Sequence, residues 1–103
     1  MANWSLTTGS SNSAVGYHAL ANDASTGTNT AVGAYALITN TTGTGNTALG
    51  YNANPTVNNL TNYTGIGYGV GSGSSISNSV ELGNTSVTKI VGQIGRASCR
   101  ERV

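Results

Sequence analysis

Short apolar runs recur along this chain at a fixed interval, and each one closes on glycine. They read Asn12-Ser-Ala-Val-Gly16, Asn29-Thr-Ala-Val-Gly33 and Asn46-Thr-Ala-Leu-Gly50, then loosen to Tyr63-Thr-Gly-Ile-Gly67 and Ser79-Val-Glu-Leu-Gly83. The first four of these glycines are 17 residues apart and Gly83 follows after 16. A fixed period carrying a matching local motif is the mark of a repeat architecture, in which each unit buries its apolar side against its neighbours.

Within one unit, Asn29 to Gly45, side chains alternate across a strand. Thr30 and Val32 therefore share one face, and Ala31 and Gly33 the other. Both faces are apolar or small, so the strand calls for burial on both sides. Tyr35 to Ile38 predicts a second short strand, and Thr39 to Gly45 a return loop whose Asn and Gly tolerate positive φ. Stacking such coils about 4.8 Å apart lines up like residues. The rows are Val15/Val32/Leu49/Ile66/Leu82, Ala14/Ala31/Ala48/Gly65 and Ala19/Ala36/Ala53. The expected fold is all-β, a parallel β-roll or β-solenoid of 17-residue coils. Its core is thin, and the second apolar face suggests burial against neighbouring chains.

The fourth unit alternates Gly65, Gly67, Gly69, Gly71 and Gly73 with Ile66, Tyr68, Val70, Ser72 and Ser74. A Gly/Ser run of this kind also reads as a flexible linker, but its apolar alternation favours strand through Val70 and loop from Gly71 to Ser75. Ser79 to Val91 predicts two more strands around a Gly-Asn turn. We therefore divide the chain into β-roll repeats over residues 1–75, terminal strands or a neck over 76–92, and a tail over 93–103. Aligned on the period, Ala2 matches Ala19, so Met1 begins inside a coil.

Composition changes the picture mainly at that tail. The chain has 15 Gly but four basic and three acidic residues, far below the charge of an ordinary domain. Ile94 to Val103 holds all three Arg, the single Cys and one of the acids. It can be reverse-translated as ATCGGAAGAGCGTCGTGTAGGGAAAGAGTG followed by the stop TAG, a string that resembles a common short-read sequencing adapter. On that reading the tail is not native, the protein continued beyond Gly92, and Cys99 says nothing about redox compartment. The remainder carries Lys89 against Asp23 and Glu81, which leaves no basic patch for nucleic acid. No stretch approaches the roughly 18 apolar residues of a membrane span.

Candidate chemistry is sparse. His18 aligns with Tyr35 and Asn52, an outward and variable position, and we read it as a surface residue. Asp23 and Glu81 lie more than three coils apart, so they form no acid–base pair. No Ser-His-acid set, metal-ligand cluster or phosphate loop is present, and no cofactor is expected. Asn12, Asn29 and Asn46 form a row in which side-chain amides can satisfy backbone groups. Tyr17, Tyr51 and Tyr68 form another row, interrupted by Ala34. It reads first as a packing ladder between coils and second as a recognition surface, since exposed aromatics can stack on sugars. Ser13, Thr30, Thr47 and Thr64 place one hydroxyl per coil.

The units Asn-Ser/Thr-Ala-Val/Leu-Gly-Tyr-x-Ala resemble the YadA-like head repeats of trimeric autotransporter adhesins, which also occur in phage tail-fibre proteins. The resemblance covers residues 2–70 in about four coils. It implies a left-handed parallel β-roll in a homotrimer, against the usual right-handed crossover. Asn78 to Val91 is similar to the segment that often precedes a self-cleaving intramolecular chaperone. The resemblance further implies a non-enzymatic, extracellular fragment of a bacterial surface adhesin or virion tail, with a host glycan or protein as partner. The competing expectation is a monomeric solenoid that binds ice or a polysaccharide surface through its hydroxyl row.

Overall fold

The computed structural model describes residues 11–24 and 27–92. The expectations for Met1 and Ala2 and for the tail at 93–103 lie outside the described residues. Five short strands build one parallel sheet in chain order: β1 (Ser13–Val15), β2 (Thr30–Val32), β3 (Thr47–Leu49), β4 (Tyr63–Ile66) and β5 (Ser79–Leu82). The register puts Ala14, Ala31, Ala48, Gly65 and Glu81 in one column, and Val15, Val32, Leu49, Ile66 and Leu82 in another. The chain is an all-β parallel solenoid of about four turns, with a strand in every turn, as the period predicts.

Each strand is short because the glycine that follows it leaves the β region. Gly16, Gly33, Gly50 and Gly67 have φ of 132°, 128°, 137° and 131°. A side chain is excluded there twice over. L-residues rarely adopt that backbone, and a Cβ on Gly33 or Gly50 would collide with the carbonyl oxygen of the next glycine in the column. The fixed interval therefore records a backbone-to-backbone contact repeated in every coil.

The second strand predicted at Tyr35 to Ile38 does not form. His18, Tyr35 and Asn52 have φ of 58°, 62° and 53°, and Leu20 and Leu37 have 54° and 52°. Left-handed residues at every second position break the pleat and instead make successive tight turns. Ala36 donates to the Gly33 carbonyl at 3.2 Å, Ile38 to Tyr35 at 3.3 Å and Asn40 to Leu37 at 3.1 Å. A positive φ at the third residue is what a type II turn requires. Rungs between coils continue through this corner: Tyr35 N–H donates to the Tyr17 carbonyl at 2.8 Å and Leu37 N–H to Ala53 at 3.0 Å.

The same reasoning corrects the fourth unit. Its strand stops at Ile66, and residues 68–73 form turns. Gly67, Gly69 and Gly71 stand at φ of 131°, 62° and 91°, the positions held by Gly33, Tyr35 and Leu37 two coils earlier. The glycine alternation is a turn code, neither strand nor linker. Beyond β5, the second predicted strand is also absent. Asn84 accepts from Val87 N–H at 3.1 Å through its carbonyl and from Ser86 N–H at 2.8 Å through Oδ1, closing a turn.

The two faces of the strand are unequal. Ala31 and Ala48 are fully buried with Ala19, Ala36, Ala53, Leu20, Leu37 and Val70 in one axial core. The larger Val/Leu/Ile column points outward. Small residues fit inside because a coil is narrow. Leu20 and Leu37 keep left-handed backbones, at a cost of about 1–2 kcal/mol each, because burying a Leu side chain returns about 1.5–3 kcal/mol.

Candidate functional site

A buried amide ladder holds the coils in register. Asn12 Oδ1 accepts from Asn29 N–H at 2.8 Å, Asn29 Oδ1 from Asn46 N–H at 3.0 Å, and Asn46 Oδ1 from Tyr63 N–H at 2.9 Å. Each amide nitrogen turns inward. Asn29 Nδ2 donates to the Gly43 carbonyl at 2.9 Å and Asn46 Nδ2 to Leu60 at 2.7 Å. In the first coil Asn12 Nδ2 instead reaches Asp23 Oδ2, and Asn40 Nδ2 donates to Asp23 Oδ1 at 2.7 Å. Asp23 is thus a buried carboxylate built into the ladder. The row read from sequence is structural, and Asp23 with Asn40 extends it in a way the motif did not show.

The ladder ends on Tyr63. Its ring is fully buried, and its hydroxyl has no hydrogen-bond partner. Desolvation, with a smaller contribution from the Glu81 charge, raises the phenol to a pKa of about 12. Room for the ring comes from glycine. A Cβ on Gly65 would lie 2.9 Å from ring carbons, and one on Gly71 would lie 2.6 Å from the hydroxyl oxygen. Compared with coil two, Asn29 becomes Tyr63 while Ala31 becomes Gly65 and Leu37 becomes Gly71, so added bulk is offset by lost bulk as the interior is repacked.

The outer surface holds two features with recognition potential. On the sheet, Val15, Leu49, Ile66 and Leu82 are each more than two-fifths exposed and Val32 is half-buried. Beside them runs the hydroxyl column, with Ser13 exposed and Thr30, Thr47 and Thr64 half-buried, ending at exposed Val80. Among the described residues the charged side chains are Asp23, Glu81 and Lys89, and Asp23 is buried. Glu81 falls in the inward column, and Lys89 lies beyond β5.

The second feature is aromatic. Tyr17, Tyr51 and Tyr68 line up as predicted, and the gap at Ala34 is closed by Tyr35. The Tyr17–Tyr35 centroid distance is 5.6 Å at 83°, Tyr35–Tyr51 is 5.9 Å at 84°, and Tyr51–Tyr68 is 5.4 Å at 16°. His18 joins at one end, parallel to Tyr35 at 5.8 Å and edge-on to Tyr17 at 4.2 Å. The ladder is continuous and exposed at three of its four tyrosines: Tyr17 and Tyr51 are 49 % and Tyr68 70 % accessible, while Tyr35 is half-buried. Sequence reasoning missed Tyr35 because strand logic assigns positions i and i+1 to opposite faces. A left-handed residue swings its side chain round instead. The available signal was the tyrosine directly after the alanine that interrupts the row.

No group of three or more His, Cys, Asp or Glu that could hold a metal occurs among the described residues, and no helix there is long and apolar enough to cross a membrane. No family model matches the chain, and no curated protein or solved structure does.

Proposed function

We propose that this chain is a structural and adhesive β-roll, non-enzymatic, working as part of a homotrimeric fibre at a bacterial surface or on a virion tail. One observation carries the proposal: the outward sheet face is an uncharged column of five apolar side chains, Val15, Val32, Leu49, Ile66 and Leu82, in register over all five strands. Contiguous exposed apolar surface on this scale marks a contact surface. A solenoid whose interior is mostly alanine gains stability by covering that face with copies of itself. The in-register repeat and the resemblance to trimeric adhesin heads support the same reading. Sedimentation of residues 1–92 should give trimers, and Leu49→Glu should shift them to monomers. A stable, folded wild-type monomer would overturn it.

A second reading is favoured by the hydroxyl column, which lies on the outward face beside the apolar one. Such a regular array suits an ordered surface, ice or crystalline polysaccharide, bound by a monomer. Thermal hysteresis that disappears in Thr47→Leu, from a chain sedimenting as a monomer, would select this reading over the first.

A further inference from the structure

From the aromatic ladder we infer a ligand track: Tyr17, Tyr35, Tyr51 and Tyr68 bind a neutral, unbranched polysaccharide laid along the axis of the roll. This rests on the adhesive reading above and names the chemistry of what is held. The first argument is strain. Tyr35 and His18 hold left-handed backbones at φ 62° and 58° while remaining only half-buried. Leu20 and Leu37 are strained in the same way but repay it by full burial. Gly69, in the column of Tyr35, shows that glycine fills this position without strain. A bulky residue at positive φ costs about 1–3 kcal/mol, and such outliers point towards function when packing does not account for them.

Rigidity is the second argument. The backbone under the rings is a hydrogen-bonded rung in each coil: Tyr35 N–H to Tyr17, Asn52 N–H to Ala34 at 2.8 Å, and Gly69 N–H to Tyr51 at 2.9 Å. The rings are therefore fixed before any ligand arrives, which lowers the entropy lost on binding. The third argument is ligand chemistry. Tyrosines offer apolar faces and edges with a polar tip, matching the C–H faces and hydroxyls of a sugar. The ladder contains no carboxylate, lysine or arginine and meets His18 only at one end, so the four tyrosines do not select a charged glycan. One ring per coil over four coils is a periodic receptor, and it suits a periodic polymer.

The experiment is affinity electrophoresis of residues 1–92 in gels containing hydroxyethyl cellulose, mixed-linkage β-glucan or linear mannan, with alginate and a polyproline peptide as counter-probes. The track predicts retardation by at least one neutral polysaccharide and none by alginate. Tyr35→Gly should weaken it at least tenfold while leaving the melting temperature unchanged or raised, because glycine relieves the strain. Tyr68→Ala, at the exposed end of the ladder, should also weaken it and serves if Tyr35→Gly does not fold. Retardation by none of the neutral polymers, binding of the polyproline peptide alone, or binding untouched by both substitutions overturns the proposal. Sedimentation of the same samples reports assembly separately: trimers without retardation defeat the track alone, and retarded monomers defeat the trimer alone.

Discussion

Coils two and four follow one backbone path with opposite interiors. In coil two, Asn29 and Ala31 line the strand side, and Leu37 fills the corner from a strained backbone. In coil four, Tyr63 supplies the bulk while Gly65 and Gly71 yield space, and Val70 stands where Ala36 stood. Coil two satisfies its buried polar atoms through the amide ladder. Coil four leaves the Tyr63 hydroxyl without a partner. The comparison separates what a coil must keep from what it can trade. The glycine at φ near 130° and the rung hydrogen bonds are kept. Side-chain volume is traded, with added bulk offset by lost bulk.

The largest expected effect tests what must be kept. Gly33→Val places a branched side chain against the Gly50 carbonyl at φ 128° and should abolish the cooperative transition. We expect a loss above about 4 kcal/mol, in the exceptional class for one substitution. Gly73→Ala, also at positive φ but with nothing within 4 Å, should cost about 1 kcal/mol. Equal losses in urea titrations would show that φ alone, without the coil-to-coil contact, sets the period.

Next comes the ladder. Asn29→Ala strands the Asn46 N–H inside the roll, while the Gly43 carbonyl loses one donor and keeps Asn40 Nδ2 at 3.1 Å. One unsatisfied group predicts a loss of about 1–3 kcal/mol. Thr47→Ala, on the outer face of the next strand, should cost far less, and a similar loss for both would argue against the ladder.

Volume trading predicts coupling. Tyr63→Asn alone leaves a cavity among Gly65, Gly71 and Val70 and should cost about 3–5 kcal/mol. Adding Gly65→Ala should recover part of that loss, whereas Gly65→Ala in the wild type meets the ring at 2.9 Å and destabilises. A double-mutant cycle that comes out additive would break the comparison. The phenol adds a pH signature. Its pKa is raised from 10.0 to about 12 by burial and then by Glu81, so its contribution is intact below pH 10. That contribution is lost as pH climbs from 10 towards 12, because the unfolded phenol ionises first. Tyr63→Phe should flatten this alkaline loss and, by removing an unsatisfied hydroxyl, should not destabilise at neutral pH.

The smallest effect is a gain. Thr28 sits at φ 71°, in the column where Asn62 and Asn78 stand at 57° and 58°. Thr28→Asn should stabilise by about 1 kcal/mol or less, since Asn tolerates the left-handed region and a β-branched residue does not. A drop in melting temperature would mean that the Thr28 hydroxyl, which accepts from Gly45 N–H at 3.1 Å, outweighs the strain.

Much of this was legible in the chain. Gly16, Gly33 and Gly50 recur because each meets the next, and a steric contact that repeats must repeat in the sequence. The parallel register, the columns and the structural role of the asparagines follow from that period. Tyr35, the corner turns and the true use of the glycine run did not follow, since alternation looks the same whether it encodes a pleat or a series of left-handed turns. Local pattern carries distances along the chain, and neighbours in the next coil choose between its two meanings. The period and the all-β repeat were thus determined by the sequence by itself. Tertiary structure decided that alanine turns inward and valine outward, that Tyr63 plugs the fourth coil, and that Tyr35 completes the aromatic ladder. The reason is space: a coil this narrow takes alanine in the middle of a strand, or Tyr63 only where Gly65 and Gly71 make room, and only the stack decides which face is inside.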